Sequence, residues 1–417
     1  EPCDKPEPCD KPEPSLKSLQ FLRENLEHCA YTPDEKKVID EKNKDNIRIV
    51  VFSTQYPFLG GSATNAYNII KFLRNRGYKN VAGVFLEAID RYDLKLYDPD
   101  KLGGIYRCVR WSYYIKKYNN KYIKRDLDQV KKAISNYLGG EPTLILCKNF
   151  VAPVEADIMY KNIPILYLIS GSKGLTSSGI SYEELRYVDK ESFLEKYNNP
   201  DEILANTIST ALIPNSLISK TVFEYLFDEF DAKITNPVNT SMLSKFDPVI
   251  ECNIGDRKYD IGVIVSNFTR KIKGCELAVS IFGDKRLDKY KKLIIGDSND
   301  IFKDIPNVDL FELQPNDIVK KKMLQTKIII VPSVFEASPN TCVEAECCKC
   351  FILTTLNVGN AEFNNDFYMI KDRNDVNEWV TKIEQILKSD FKNLPPLKSV
   401  EQDVDYYFMD IINKYSL

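Results

Sequence analysis

From residue 46 onward, short runs of β-branched and aliphatic residues alternate with stretches whose apolar positions recur every three or four residues. Runs of the first kind read as strands buried on both faces, the second as amphipathic helices, and their alternation predicts helices layered on parallel sheets. A first series opens with a strand at 47–52, a turn at Gly60-Gly61 and a helix over 62–76, which carries Ala66, Ile69, Ile70 and Leu73 on one face and is closed by Gly77. Strands at 81–86, 106–111, 143–147, 165–169 and 210–213 follow, with a polar helical stretch at 124–137. A second series has strands at 260–266, 293–296, 308–311, 327–331 and 351–355, and an amphipathic segment at 404–415 ends the chain. The expected organisation is a leader over 1–45, an N-terminal doubly wound α/β domain over 46–240 joined by the terminal helix within 400–417, and a second over 241–399. The stretch from Asn236 to about residue 259 reads as a polar linker. Two Rossmann-like domains facing across a cleft place a ligand at the carboxyl ends of their strands.

Composition narrows the function. Lys and Arg number 57 against 60 Asp and Glu, for a net charge of -3, so the basic excess of a dedicated nucleic-acid binder is missing. No apolar run approaches the ~18 residues that span a bilayer, which predicts no transmembrane segment. Eleven scattered cysteines argue against a disulfide framework and fit a reducing, cytoplasmic setting. The first residues repeat Glu-Pro-Cys-Asp-Lys-Pro twice, an acidic, proline-rich start expected to form an extended tail and unlike a secretory signal. Cys3 and Cys9, six residues apart with no histidine near, fall short of a tetrahedral metal site.

Three elements carry candidate chemistry. Gly60-Gly61 lies between a strand and a helix, so the pair either lets backbone N–H groups approach a phosphate or makes a tight turn needing positive φ. It is not a dinucleotide fingerprint, because Ser-Ala-Thr follows. The second element, residues 266–274, contains Asn267, Arg270, Lys271, Lys273 and Gly274 at the end of a strand and before a helix over 275–282. Its cations would neutralise a diphosphate, or they are solvated surface charges. In the third, Ser338 is expected as a helix N-cap with Pro339 at the first helical position, aiming the N–H groups of Asn340, Thr341 and Cys342 into the cleft. Glu336 before that helix and Glu344 within it would bracket a ligand rich in hydroxyl groups, because a carboxylate offers about four acceptor sites.

In this order and spacing, Gly60-Gly61, Lys273-Gly274 and the segment from Glu336 to Glu344 resemble the retaining GT-B glycosyltransferases, a large family marked by two glutamates separated by seven residues. The similarity runs from about residue 46 to 417. The lysine-rich composition and proline repeat further resemble glycosyltransferases of large chlorella viruses. The resemblance implies that Glu344 holds the ribose of a nucleotide-diphosphate sugar, Lys273 its diphosphate, and Gly61 approaches the phosphate from the other domain. It further implies that Glu336 and the backbone over Ser338, Pro339, Asn340 and Thr341 grip the hexose and distal phosphate. Departures exist: Asn267 stands where the family commonly has a diphosphate-binding arginine, leaving Arg270 to supply the charge. Ser170 falls where many members carry a histidine, while the sole histidine, His28, precedes the fold, and Lys349 replaces a glycine after the helix.

The implied mechanism is a retaining transfer in which the departing diphosphate takes the acceptor's proton, its charge stabilised by Lys273, Arg270 and helix N-termini without a metal or other cofactor. The Asp-x-Asp patterns at Asp98, Asp126 and Asp403, which a metal-dependent transferase would use, do not follow apolar strands. Two rivals are an idle sugar-nucleotide binding protein and an epimerase or phosphorylase of the same fold. The donor reads as GDP-mannose if Glu312 or Asp317 accepts from guanine; the acceptor reads as a glycan or glycoprotein.

Overall fold

The structure, a computed structural model, describes residues 44–54, 61–87, 103–110, 121–359, 365–395 and 404–416. The proline repeat, Cys3, Cys9, His28, Gly60, Asp98 and Asp403 lie outside the described residues.

Among the described residues, twelve strands form two six-stranded sheets. The first contains β1 (Arg48–Thr54), β2 (Asn80–Glu87), β3 (Ile105–Val109), β4 (Leu144–Lys148), β5 (Ile165–Ile169) and β6 (Ala211–Pro214), ordered β3-β2-β1-β4-β5-β6. The second contains β7 (Tyr259–Asn267), β8 (Lys292–Asp297), β9 (Val308–Phe311), β10 (Thr326–Val331), β11 (Phe351–Thr355) and β12 (Met369–Ile370), ordered β12-β11-β10-β7-β8-β9. Counted from its own first strand, the second sheet has the same doubly wound order as the first, and every pairing is parallel. β4, β5 and β6 are buried throughout, as expected of strands covered on both faces.

The helix Gly61–Asn75 buries Ala63, Ala66, Ile69, Ile70 and Leu73 at helical spacing against the first sheet. It ends where Gly77 takes a φ of 91° and Tyr78 N–H donates to Leu73 O at 3.1 Å, a left-handed closure open to glycine without strain. The last helix, Val404–Tyr415, returns to the first sheet and packs Val404, Phe408 and Ile412 into the same core. No helix among the described residues is long and apolar enough to cross a membrane.

The segment expected as a polar linker is different in its first part. Val238, Asn239, Thr240, Ser241 and Ser244 are buried, and Thr240–Ser244 forms a 3-10 turn. Its polarity is spent inside the protein. Thr240 N–H donates to Asn215 Oδ1 at 2.8 Å, Asn65 Nδ2 donates to Thr240 O at 2.6 Å, and Lys148 Nζ donates to the Thr240 hydroxyl at 3.2 Å. Buried polar side chains that satisfy one another in this way fix a segment that composition alone reads as solvated.

Candidate active site

The carboxyl ends of β7 and β10 open into the two loops that carry most of the candidate residues. After β7, Asn267 Oδ1 accepts from Thr269 N–H and from the Thr269 hydroxyl, both at 2.7 Å, so the oxygen is engaged in making the turn. Arg270 is exposed and its charge is felt at Cys275. A 3-10 turn, Lys271–Lys273, then delivers Lys273, and Gly274 at a φ of 68° starts the helix Cys275–Phe282. A Cβ on Gly274 would lie 2.0 Å from Pro332 O, so the loops after β7 and β10 approach more closely than any side chain allows.

That approach brings Lys273 to Glu336. The ammonium lies 2.8 Å from Glu336 Oε2, with side-chain exposures of only 17% and 15%. Ser333 donates to Glu336 Oε1 at 2.6 Å, occupying the other oxygen. The backbone of Glu336 is clamped as well: its N–H donates to Asn357 O at 3.0 Å and its carbonyl accepts from Gly359 N–H at 2.8 Å. Both Glu336 and Lys273 act on the buried thiol of Cys342 in the following helix, which burial pushes well above its ordinary range.

That helix, Asn340–Cys347, begins one residue later than expected, with Pro339 as its flanking residue and no side-chain cap. Ser338 is therefore not the N-cap. Its hydroxyl turns away to donate to Asn239 Oδ1 at 2.9 Å, while Ser338 O accepts from Ser241 Oγ at 2.8 Å. The hydroxyl is thus used to tie this loop to the buried crossover, leaving the first N–H groups of the helix without a side-chain cap.

Asn340 Nδ2 donates to Gly61 O at 3.3 Å, which sets the N-terminus of Asn340–Cys347 against that of Gly61–Asn75. Two positive helix ends, one from each sheet's layer, therefore meet at the cleft. Gly61 has no positive φ, and among the described residues a Cβ there would meet only Asn340 Nδ2 at 3.8 Å. The reading of Gly61 as a turn that demands glycine is excluded. Thr341 follows in the first turn, partly exposed.

Glu344 is buried one turn further along and is held apart from the Lys273–Glu336 pair. Asn316 Nδ2 donates to its Oε1 at 3.0 Å, and burial raises its carboxyl above the usual range against the opposing pull of Asn316 and Lys320. Sequence reasoning missed Ser333, Asn316 and Lys320. The available signals were the spacing of Ser333 three residues before Glu336, and a Pro-Asn helix start after a strand.

Opposite, the loop after β5 presents exposed Ser170 and half-buried Gly171, where an added Cβ would lie 3.6 Å from the Phe335 ring. The place expected for a sugar-contacting histidine therefore lies beside the Glu336 loop. Glu312 and Asp317 are both exposed beyond β9. No group of three or more His, Cys, Asp and Glu that could hold a metal occurs among the described residues.

Residues 255–397 match the family model described as Glycosyl transferases group 1. No curated protein matches the chain by sequence. Among solved structures, the chain is similar to sucrose-phosphate synthase from Thermosynechococcus elongatus, at 12% identity over 88% of this chain and 93% of that one, with a TM-score of 0.58. It is similar to HepE of Anabaena in complex with UDP and glucose, at 13% identity over 88% and 95%, with a TM-score of 0.56. It is similar also to the catalytic domain of starch synthase IV from Arabidopsis thaliana bound to ADP and acarbose, at 13% identity over 89% and 99%, with a TM-score of 0.53. With two parallel doubly wound sheets of identical order, these likenesses establish the two-domain Rossmann-like GT-B fold.

Proposed function

We propose that the protein is a retaining glycosyltransferase that moves a hexose from a nucleotide-diphosphate sugar to a glycan or glycoprotein without a metal. The observation that carries this reading is the meeting of two helix N-termini from opposite layers, joined at Asn340 and Gly61, in a fold whose group 1 domain also supplies Lys273. Two positive helix ends facing each other repel until an anion lies between them. A diphosphate is an anion of suitable charge. Lys273 has three donor positions and gives one to Glu336, so two remain for phosphate oxygens.

In the proposed reaction, the bond between the hexose C1 and the diphosphate oxygen breaks and the acceptor oxygen bonds C1 on the same face. The acceptor's proton passes to the departing diphosphate. Lys273 and the helix ends stabilise the charge that develops on the leaving group, where such fixed donors contribute most. Glu336, held by Lys273 and Ser333, accepts from hexose hydroxyls, and Glu344 accepts from the ribose. Arg270, exposed beside this loop, adds long-range attraction for the donor.

The test is incubation with UDP-glucose, ADP-glucose or GDP-mannose in excess EDTA, following released hexose by NMR. Slow hydrolysis with first release of the retained anomer is expected, together with a loss of about 1 to 3 kcal/mol in nucleotide binding on Glu344→Ala. Activity that vanishes with chelator and returns with manganese rejects the metal-free reading. Tight nucleotide binding without turnover would make the protein a binding module, a reading favoured by Asn267 being engaged in its own turn.

A further inference from the structure

Asn316 opens the helix Asn316–Leu324, just beyond the carboxyl end of β9, on the side of the second sheet where a nucleotide would lie in the proposed function. Asparagine at a helix start ordinarily spends its side-chain oxygen on the helix's own N–H groups. Here Pro315 occupies the flanking position, with no side-chain cap, and Asn316 stands one residue inside the helix. Its amide instead donates to Glu344 Oε1 at 3.0 Å. Its carbonyl oxygen is buried and has no hydrogen-bond partner among the described residues.

A buried acceptor left empty calls for an explanation, because most such atoms in folded proteins are paired. The assignment of oxygen and nitrogen is fixed by chemistry: Glu344 needs a donor, so the NH2 faces it and the oxygen faces the other way. Lys320, one turn along the same helix, reinforces the arrangement by acting on Glu344 while its ammonium sits 4.1 Å over the Phe246 ring. One helix thus supplies both groups that act on the carboxylate.

We infer that Asn316 is a second specificity residue of the nucleotide site: its amide orients Glu344 and its orphaned oxygen accepts a hydrogen bond from one ribose hydroxyl. The pair Asn316 and Glu344 then reads two adjacent hydroxyls, Glu344 through its other oxygen and Asn316 through its carbonyl. A ribonucleotide satisfies both acceptors, and a deoxyribonucleotide leaves one buried and empty. This inference rests on the nucleotide-sugar reading of the site, and it adds a sugar-selective contact that the charge of the diphosphate does not require.

The experiment is calorimetry with UDP, ADP and GDP, then with the 2′-deoxy and 3′-deoxy forms of whichever binds most tightly. The full-length protein should prefer the ribonucleotide over one deoxy form by about tenfold or more. In Asn316→Ala, affinity for the ribonucleotide should fall by about tenfold more than affinity for that deoxy form, so the ratio collapses. Asn316→Asp keeps an oxygen toward the ribose and removes the donor to Glu344. Two carboxylates then adjoin, with Lys320 and the Cys348 thiol as the neighbouring titratable groups, so ribonucleotide affinity should fall as pH rises more steeply than in the parent. If the parent binds a nucleotide and both variants keep its ribose ratio and pH profile, the role of Asn316 is overturned while the nucleotide site stands. If the parent binds none of the three nucleotides, the proposed function and this inference fall together.

Discussion

Glu202 carries a carboxylate into the interior, where the helix Pro200–Ile208 meets the loop after β5. Its oxygens accept from Lys173 N–H at 3.0 and 3.1 Å and so cap the helix Lys173–Ser178 that follows the exposed Ser170. Burial outweighs these hydrogen bonds and pushes the carboxyl up to about 7. Lys148, buried at the end of β4, is pushed down to about 7 by burial. The two groups act on stability in opposite directions. Between about 4.5 and 7 the unfolded chain releases the Glu202 proton while the fold keeps it, so stability falls as pH rises, by at most about 1.4 kcal/mol per pH unit. Between about 7 and 10.5 the unfolded chain holds the extra proton on Lys148, so stability rises with pH. Urea unfolding across this range should show a minimum near neutrality from these groups. Glu202→Gln, which keeps an acceptor without the charge, should flatten the acid limb alone; an unaltered limb would show that Glu202 is solvated.

At the scale of elements, the loops are constrained by backbone contacts that leave no room for side chains. Gly274→Ala would put a Cβ 2.0 Å from Pro332 O at a φ of 68°, a clash with backbone plus left-handed strain, and should cost more than about 2 kcal/mol in thermal or urea unfolding. Lys349 presents the reverse case. It closes the helix Asn340–Cys347 at a φ of 58°, and Cys350 N–H donates to Ala345 O at 2.9 Å, the hydrogen bond a glycine would permit without strain. The helix-closing turn therefore forms without a glycine. Because Lys349 is exposed, Lys349→Gly should stabilise the protein by about 1 kcal/mol, and a loss of stability would mean that its side chain holds contacts worth more than the strain. These contrasts bear on what could be read in advance. Strands such as β5, β9 and β11 and the helices at 275–282 and 404–415 were legible at their observed bounds, because contiguous or periodic apolar residues report burial directly. β12, two residues long, carries no such signal. Ser338 was misread as a cap because the position of its real partner, Asn239, almost one hundred residues earlier, depends on tertiary packing. The polar run around Thr240 reads as a linker for the same reason, since its partners Asn65, Lys148 and Asn215 come from three other parts of the chain.

At the scale of the whole molecule, the two layers touch along an apolar seam and a polar one. Ile272, Val334 and Phe335 from the loops after β7 and β10 join the core around Tyr167, Leu175 and Phe223, while Val343 joins that around Ile49 and Ile69. The polar seam holds Ser338 to Asn239 and Ser241, and Glu183 N–H donates to Asn357 Oδ1 at 3.4 Å. The facing helix ends at Gly61 and Asn340 are joined by a hydrogen bond at 3.3 Å. Their mutual repulsion opposes closure until an anion neutralises it, so binding of a nucleotide sugar should draw the layers together. Small-angle scattering of the free protein should accordingly give a larger radius of gyration than the protein with its donor. Gly61→Val separates the causes. With Asn340 Nδ2 at 3.8 Å the only contact of the added Cβ among the described residues, and no positive φ to lose, the fold should tolerate valine with a change in urea-unfolding stability within about 1 kcal/mol. In the proposed function, the added bulk nevertheless stands where a phosphate would approach the helix end. Donor-induced compaction and donor hydrolysis should therefore both be lost in Gly61→Val, while nucleotide binding through Glu344 and Lys273 is largely retained. A variant that compacts and hydrolyses like the parent would remove Gly61 from the site, and the first layer's share in donor binding would have to come from other residues.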